Sequence, residues 1–445
     1  MRLALLWLLL VTAGIFILVH SIIRDIRYTK EYPADLRYRV VGARLVKDGK
    51  LPYFYKWKKG DGFRYYDPDN FDNEKPSNIT VSPFYLHLLS PIADLPEADI
   101  AKGWLVSEYG ILVVLTVFCF LQAKTTAQKV TVVLFALLFL LTNAWKCHID
   151  YGQSYLWMPF FAFLFYVCFR RNDHFAWGFA AGTVAACFVL VRLNTLFFFL
   201  PFLFLLPRYK RSWWLAFCLP PLLLGAWTLL DKQERNLWLD YKALLGEQLK
   251  VHQDLGFEVQ HNDPNPKFAY WEGIDKREAD RLGAAERDTI YTENGNVFVL
   301  FRLLFKRRLS PALLGIAGIA VITGLLLCFY FLQRPFQKLP PAQLTIFAFC
   351  CYMVSDLFSP FYRHQFYTVQ WLFILLLAAA TWGRGWRTAT AILLAGLVLN
   401  CVHLPFIKMG NTIGEYGILA VLLVVSLVSG RPTGQKPQPD SISID

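Results

Sequence analysis

The chain has 445 residues, of which 56% are hydrophobic and 16% aromatic, and it carries a formal net charge of +12. Soluble domains are usually less apolar, so the composition indicates one integral membrane body rather than two or three soluble domains. The lysines and arginines lie mostly in short loops between apolar stretches, where they set membrane topology, so we do not expect nucleic acid as a partner.

The first apolar stretch, residues 3–23, follows a single arginine. It is about twice as long as the apolar region of a signal peptide and no small-residue cleavage site follows it, which predicts an uncleaved signal anchor with a cytoplasmic N terminus. A bilayer core about 30 Å thick needs about 20 helical residues. By this measure the chain is an all-α polytopic membrane protein with about twelve transmembrane helices, at residues 3–23, 104–122, 130–145, 155–169, 175–191, 193–207, 213–230, 311–332, 342–358, 366–382, 387–407 and 415–429.

Residues 175–207 form an apolar stretch that is too long for one membrane helix. A helix of about 33 residues would be about 50 Å long, which exceeds what tilting readily absorbs. Arg192 and Asn194 interrupt the stretch near its middle. We therefore expect two helices joined by a tight turn that places Arg192 at a membrane face.

The short loops set the orientation of the helices. When the basic loops are placed in the cytoplasm, two long segments, 24–103 and 231–310, lie on the extracytoplasmic side. Within the first segment, residues 83–96 are apolar but too short to span, which predicts an interfacial or re-entrant helix. Residues 1–430 thus form one membrane domain, and 431–445, rich in Pro, Ser and Asp, are predicted to be a disordered cytoplasmic tail. Each cytoplasmic connection carries at least two basic residues, as the positive-inside rule requires, at 124–129, 170–171, 208–211, 334–338, 384–387 and after 431.

A carboxylate flanked by arginines follows the first predicted helix, in the sequence ADLRYR at residues 34–39. One interpretation makes Asp35 an ordinary loop acid paired with Arg37 or Arg39. The other makes it a general base at the membrane surface, because a positioned carboxylate that takes a proton from a sugar hydroxyl accelerates transfer by about 10²–10⁴-fold. Arg37, Tyr38 and Arg39 are then candidate substrate-binding residues.

Three further polar clusters lie in predicted outer loops, and each has an ordinary structural alternative. Residues 146–153, KCHIDYGQ, form either part of a ligand site or a helix-entry turn. Residues 192–194 supply either a cation that grips a phosphate or a snorkelling arginine. Residues 359–364 suit either a lipid-linked phosphate or an aromatic belt. The candidate substrate-binding residues of these clusters are His148, Gln153, Arg192, Arg363 and His364.

Metal ligation is not expected. One histidine and one aspartate in residues 146–153 do not complete a coordination shell. Residues 67–72, DPDNFD, look like a divalent-cation loop, but Phe71 breaks the alternation of oxygen ligands that an EF-hand needs. We therefore predict neither a metal site nor a cofactor.

Taken in chain order, these motifs resemble glycosyltransferase family 87, whose members are polytopic enzymes of the GT-C type and include polyprenol-phosphate-mannose-dependent mannosyltransferases. The family has an acid before a Tyr-Arg pair, an interfacial proline-rich helix, a Gly-Gln turn, a cation that is usually lysine, an Asn-Gln-Ser element and a Ser-Pro loop ending in histidine. The corresponding residues here are Asp35-Leu36-Arg37-Tyr38-Arg39, Gly42-Ala43-Arg44, Gly49 with Pro52-Tyr53, Ser82-Pro83-Phe84, Gly152-Gln153-Ser154, Arg192, Asn294-Gly295-Asn296 and Ser359-Pro360 with His364.

The resemblance implies an inverting hexosyltransferase of the cell envelope, in the inner or plasma membrane, with its active site on the extracytoplasmic face. Its donor would be a polyprenyl-phosphate hexose, with mannose the first candidate, and its acceptor a lipid or an envelope glycan. Asp35 would deprotonate the acceptor hydroxyl. Arg192, Arg363 and His364 would receive the departing lipid phosphate, and Asn294 would join the substrate-binding residues.

A lipid or solute transporter or flippase without catalysis is the alternative function. Transporters often bind at the bilayer midplane and use broken helices and internal repeats. In this chain the polar residues gather at one predicted face and no repeat is visible, which favours the transferase. Another GT-C activity, such as glycosylation of protein or lipid A, is not separated from the first interpretation by the sequence.

Overall fold

The computed structural model describes residues 2–30, 32–53, 55–66, 79–171, 174–208, 210–254, 295–305, 307, 309–333, 339–361, 363–402 and 409–429. Every regular element within these ranges is a helix, which confirms the all-α class that the sequence predicts. The predicted disordered tail lies outside the described residues.

The helices of the described residues include both long apolar segments and short connecting turns. In chain order the α-helices are α1 (Arg2–Thr29), α2 (Ala34–Lys47), α3 (Pro83–Leu89), α4 (Glu97–Gln122), α5 (Thr126–Leu141), α6 (Asn143–Tyr151), α7 (Trp157–Phe169), α8 (Phe175–Val191), α9 (Leu196–Phe199), α10 (Arg211–Leu230), α11 (Lys232–Asp254), α12 (Val297–Phe305), α13 (Pro311–Leu332), α14 (Pro341–Leu357), α15 (Leu372–Thr381), α16 (Arg387–Cys401) and α17 (Gly410–Val428). Short 3₁₀ helices lie at Lys59–Asp61, Phe63–Tyr65, Ser90–Ile92, Leu193–Thr195, Leu200–Arg208, Gln365–Trp371 and Arg384–Trp386.

Among the described residues, five helices are long and apolar enough to cross a membrane, and the bent pair α5 and α6 would make a sixth span. The five are α1 from Trp7 onward, α4, α10, α13 and α17. Further apolar helices have 10–17 residues, fewer than the about 20 that a straight crossing needs. The architecture is therefore that of a multi-helix protein compatible with a membrane, and the number of twelve spans stays a prediction.

The predicted interruption of residues 175–207 is confirmed. Helix α8 ends at Val191, and the chain continues through 3₁₀ turns on either side of the four-residue α9. Pro201 and Pro207 follow, and each lacks the backbone N–H that a regular helix would use. Arg192 stands at the break with an extended backbone (φ −150°, ψ 103°).

The predicted helix at 130–145 differs from the structure. Helix α5 ends at Leu141, and α6 begins at Asn143 after a bend of 55°. The side chain of Thr142 caps α6, because its hydroxyl accepts a hydrogen bond from the backbone N–H of Trp145 at 3.0 Å. The bend carries the end of α6 to the first turn of α2, as described below.

Helices α14 and α15 form the centre of the core. Nearly all side chains of α14 are buried, and those from Leu372 to Ala380 in α15 are buried as well. A helix that is apolar on all sides lies in the core of a large protein or within a membrane, and here neighbouring helices cover both. The C-terminal end of α14 therefore carries its polar residues, Ser355 and Asp356, from the middle of the protein to the wall of a cavity.

A buried carboxylate fastens α1 to this body. Asp25 has no exposed surface and accepts hydrogen bonds from Arg24 at 2.7 Å, the Tyr109 hydroxyl at 2.7 Å and the Trp145 indole at 2.8 Å. Burial of a charge is tolerated when it is paired and hydrogen-bonded in this way. Asp25 thus connects α1 with α4 and α6.

Candidate functional site

A cavity of about 580 Å³ opens among the ends of several helices. Its walls come from α2, the segment between α6 and α7, the turn after α8, α11, α13, the end of α14 and the segment 358–367. It brings together six residues that the sequence selected, namely Asp35, Arg39, Gln153, Arg192, Arg363 and His364. An acid and several cations that were selected from the sequence therefore share one cavity in the structure.

Asp35 occupies the first turn of α2, where a negative charge interacts favourably with the helix dipole. Its carboxylate accepts a hydrogen bond from the side-chain amide of Gln153. Arg39 lies one helical turn further on, with its guanidinium 3.9 Å from the carboxylate. Because 27% of its side chain is exposed, Asp35 is accessible to a ligand in the cavity.

A left-handed glycine ends α6 and fixes the position of Gln153. Gly152 has φ +67°, and a Cβ there would lie 2.7 Å from Pro33 and 2.8 Å from Leu36. The Gly152 carbonyl accepts a hydrogen bond from Arg39 at 2.7 Å, and the Gln153 side-chain oxygen accepts another at 2.5 Å. Only glycine allows α6 to approach α2 this closely, so the turn determines how Gln153 meets Asp35.

Arg192 is held by a second cluster of side chains in the cavity wall, the Arg192 end. Its guanidinium donates to Asn194 at 3.1 Å and to the carboxylate of Asp356. The same group lies 4.8 Å from the ring centre of Tyr155 and 4.9 Å from that of Tyr367. Two aromatic faces and a carboxylate thus restrict its orientation, while 21% of the side chain stays exposed.

Arg363 lies behind Arg192 and is saturated with carboxylates. Its Nε donates to Asp356 at 2.9 Å, and its two terminal nitrogens donate to Glu415 at 2.5 and 2.6 Å. Trp371 donates to the same Glu415 at 2.7 Å. All three nitrogens of this guanidinium therefore bind protein carboxylates, so Arg363 positions Asp356 and, through it, Arg192.

Close helix packing places Glu415 in this cluster. Glu415 lies in α17, directly after Gly414. A Cβ at Gly414 would clash with the backbone carbonyl of Gly396 in α16. The two helices can therefore approach to backbone contact, and this contact fixes the position along α17 at which Glu415 binds Arg363.

Three predicted substrate-binding residues do not line the cavity. His148 is fully buried and lies 3.1 Å from the carboxylate of Glu108, so it joins α6 to α4 from behind the Gln153 turn. Arg37 donates to the carbonyl of Tyr32 at 3.0 Å, and Tyr38 packs against a second apolar core. The helical period explains why Arg37 and Tyr38 are absent. Asp35 and Arg39, four positions apart, share one face of α2, and the two residues before Arg39 point away from that face.

The last two predicted site residues are His364 and Asn294. His364 is exposed and its ring stacks on Phe366, with 4.8 Å between ring centres. Asn294 lies outside the described residues, as do residues 67–72. Asn296, two positions later, is buried and donates to the carbonyls of Ser359 and Phe361 at 3.3 and 2.6 Å. This asparagine fixes the loop that leads to Arg363.

The sequence interpretation missed the carboxylates of the cation cluster. Asp356 is 1% exposed and Glu415 is 3% exposed, and both stand inside or at the edge of predicted apolar spans. An ionisable residue in such a span is itself a signal, because it needs a buried partner. In the part of the chain that the structure describes, no group of three His, Cys, Asp or Glu side chains has the arrangement of a metal site.

Exposed apolar side chains line the cavity beside the Arg192 end. Leu193 and Phe197 line it after the Arg192 turn, and Gly315, Ile319 and Ile322 line it from α13. Leu193 and Ile319 are 51% and 58% exposed, and such apolar side chains are more favourable against hydrocarbon than against water. The cavity thus joins a guanidinium to an apolar wall.

No match to this chain was found among protein-family models, curated proteins or solved structures.

Proposed function

We propose that the protein is an integral-membrane hexosyltransferase that moves a sugar, with mannose as the first candidate, from a polyprenyl-phosphate donor to a lipid or envelope-glycan acceptor. The observation that supports this most is that an accessible carboxylate, Asp35, and a fixed guanidinium, Arg192, line one cavity. Its volume of about 580 Å³ suits a small-molecule ligand. The proposal includes a GT-C arrangement of about twelve helices, in the inner or plasma membrane, with the cavity on the extracytoplasmic side.

In the proposed reaction Asp35 is the general base. The acceptor hydroxyl oxygen attacks the anomeric carbon of the donor sugar while its proton passes to Asp35. The bond between that carbon and the phosphate oxygen breaks, and polyprenyl phosphate leaves with the electron pair. A single displacement of this kind inverts the configuration at the anomeric carbon. Gln153 orients the carboxylate for the proton transfer.

Arg192 acts on the leaving group. Negative charge grows on the phosphate oxygen as the bond to the sugar breaks, and a cation that is already in place stabilises this charge without reorganising. Asp356, Tyr155 and Tyr367 hold the guanidinium in one orientation. In this proposal Arg363 does not receive the phosphate directly, because carboxylates occupy its nitrogens.

The apolar wall supports an amphiphilic donor. A prenyl chain that lies against Leu193 and Ile319 would present its phosphate to Arg192, which adjoins Leu193 in sequence. At Gly315 an added Cβ would meet no atom within 4 Å, so the cavity is open along this part of α13. A water-soluble nucleotide-sugar would gain nothing from such a wall.

The transporter alternative is less well supported. Asp35 is in the first turn of its helix, Arg192 follows the last residue of α8, and Asp356 is the penultimate residue of α14. Helix ends alone do not separate the two functions, because transport sites also use the ends of broken helices. What favours the transferase is that the sequence contains no visible internal repeat, which transporters often have.

A donor panel tests the proposed function. Purified protein is incubated with polyprenyl-phosphate-mannose, -glucose or -arabinose and a membrane lipid extract, and mass spectrometry follows both donor and products. We expect one donor to be consumed and one lipid or glycan to gain the corresponding sugar. If sealed vesicles that contain the protein took up a donor and no donor was consumed, this would contradict the transferase and support the transporter.

A further inference from the structure

One wall of the cavity comes from helix α11, in the second long predicted outer segment, where the sequence selected only Asn294. Helix α11 places Glu234, Leu237, Tyr241 and Leu244 at helical spacing on one face. Leu237 is 1% exposed and Leu244 is 3% exposed, in the apolar core that also contains Tyr53. Tyr241, between them, lines the cavity.

Three contacts fix α11 and therefore Tyr241. The carboxylate of Glu234 binds the imidazole of His87 in α3. Asp231 caps the helix by accepting a hydrogen bond from the backbone N–H of Glu234 at 2.9 Å. The rings of Tyr241 and Tyr53 lie 5.5 Å apart. Tyr241 is thus held at the cavity rather than left on a mobile surface.

The Arg192 end of the cavity needs further hydrogen-bond donors. Arg192 shares Asp356 with Arg363, and Glu415 balances the second guanidinium, so these four groups are together formally neutral. A phosphate monoester has three oxygens that accept hydrogen bonds. Neutral hydroxyls near Arg192 supply donors without adding charge. Tyr241 lines the same cavity and is close enough to Arg192 and Tyr155 to interact electrostatically with both.

The protonation state of Tyr241 agrees with a donor role. Burial raises the pKa of Tyr241 to about 12, although the nearby charge of Arg192 opposes part of this rise. The hydroxyl therefore keeps its proton near neutral pH. It can donate a hydrogen bond to an anion, and it is not suited to act as a base.

We propose that Tyr241 is a substrate-binding residue whose hydroxyl donates a hydrogen bond to the phosphate of the prenyl-phosphate group, beside Arg192. The inference rests on the proposed function for the identity of the ligand. It makes the second outer segment a part of the site. It also predicts that the donor is recognised from both sides, by the turn after α8 and by α11.

Binding of a short-chain prenyl phosphate to the purified full-length protein tests this inference. Tyr241→Phe removes one hydroxyl and keeps the ring that packs on Tyr53. We expect its dissociation constant to rise about tenfold, as for the loss of one hydrogen bond to a charged group. The corresponding prenol, which has no phosphate, should bind the variant and the wild type equally.

Tyr53→Phe is the matched control, because its hydroxyl is on the same aromatic pair but bonds to Val81 and does not line the cavity. It should bind prenyl phosphate like the wild type. Wild-type affinity in Tyr241→Phe, or equal losses in both variants, would overturn the assignment. Because binding is measured without turnover, absence of sugar transfer in the wild type would contradict the proposed function separately.

Discussion

The cavity wall holds two charged clusters, the Asp35 end and the Arg192 end, which use charge in different ways. At the Asp35 end the carboxylate is 27% exposed, accepts a hydrogen bond from the neutral amide of Gln153 and lies 3.9 Å from the guanidinium of Arg39. At the Arg192 end the guanidinium is bound by Asp356, whose side chain is 1% exposed, within a cluster of two guanidiniums and two carboxylates. The Asp35 end keeps its carboxylate accessible, whereas the Arg192 end balances its charge among buried partners to fix a geometry.

The difference follows from what each end has to do. A general base must be reachable and ionised, so pairing it tightly with a cation would reduce its basicity. A cation that stabilises a leaving group must already be in position, and buried carboxylates provide that position. Removal of a single group should therefore affect chemistry at the first end and geometry or stability at the second.

The largest expected effect is on turnover in Asp35→Asn. The amide keeps the size of the side chain but cannot accept the acceptor proton, so we expect kcat to fall by about 10²–10⁴-fold. Thermal unfolding in detergent should be nearly unchanged. Asp61→Asn is the control, because this acid bonds locally to Tyr55 in the same outer segment. Unreduced turnover in Asp35→Asn would remove it from the mechanism.

The second effect is on stability in Glu415→Gln. The change leaves the buried Arg363 without its bidentate carboxylate, and loss of one partner from a buried ion pair costs about 3–5 kcal/mol. We expect a clear drop in the thermal midpoint. Glu97→Gln, an exposed acid in the first turn of α4, should unfold like the wild type. Equal midpoints for Glu415→Gln and wild type would show that the cluster is not structural.

A smaller effect is expected on donor selectivity in Gly315→Leu. A side chain here would project into the open part of the cavity along α13 and occupy space that the prenyl chain would use. KM should rise about tenfold for a long-chain donor and less for a short-chain one, as for a change of a few methylenes in an apolar pocket. Gly324→Leu, on the same helix with equally open space but away from the cavity, is the control. Equal KM values for both chain lengths would place the prenyl chain elsewhere.

The smallest effect concerns acid stability outside the cavity. Hydrogen bonds from Arg64 and Tyr65, at 2.7 and 2.6 Å, lower the pKa of Asp48 from its usual 3.8. A carboxyl with a lowered folded pKa stabilises the protein above its ordinary pKa, and this contribution disappears as pH falls through the folded value. The midpoint difference between wild type and Asp48→Asn should therefore shrink below about pH 4. A difference that stays constant from neutral pH to pH 3 would contradict this.

Local sequence patterns predicted much of the helical framework. Residues 175–191 and 311–332 have the predicted bounds, because Arg192 follows the first apolar run and Pro311, which is favourable at the first helical position, begins the second. The sequence predicted one helix at 130–145 where the structure has two, because Thr142 caps a new helix within an apolar run. A single cap residue does not alter the average hydropathy on which the prediction depended.

The candidate site was predictable where a charge stood out from apolar surroundings. Asp35 and Arg192 met this condition and line the cavity. Asp356 and Glu415 also stand in apolar surroundings, but partners of theirs lie 164 and 52 residues away in sequence, so the sequence did not show with which residues they pair. His148 was assigned to the ligand on the basis of its loop, but a buried Glu108 binds it. Tertiary pairing decides such cases, and local spacing carries no information on it.

The division of labour between the two ends is tested most directly by binding of prenyl phosphate to two variants of the purified protein. Asp35→Asn should retain the wild-type dissociation constant, because its carboxylate acts on the acceptor. Arg192→Gln should raise the constant by at least about tenfold, because a charge-assisted contact with the phosphate is lost. Equal affinities in both variants, or a loss confined to Asp35→Asn, would contradict the assignment of the phosphate to the Arg192 end.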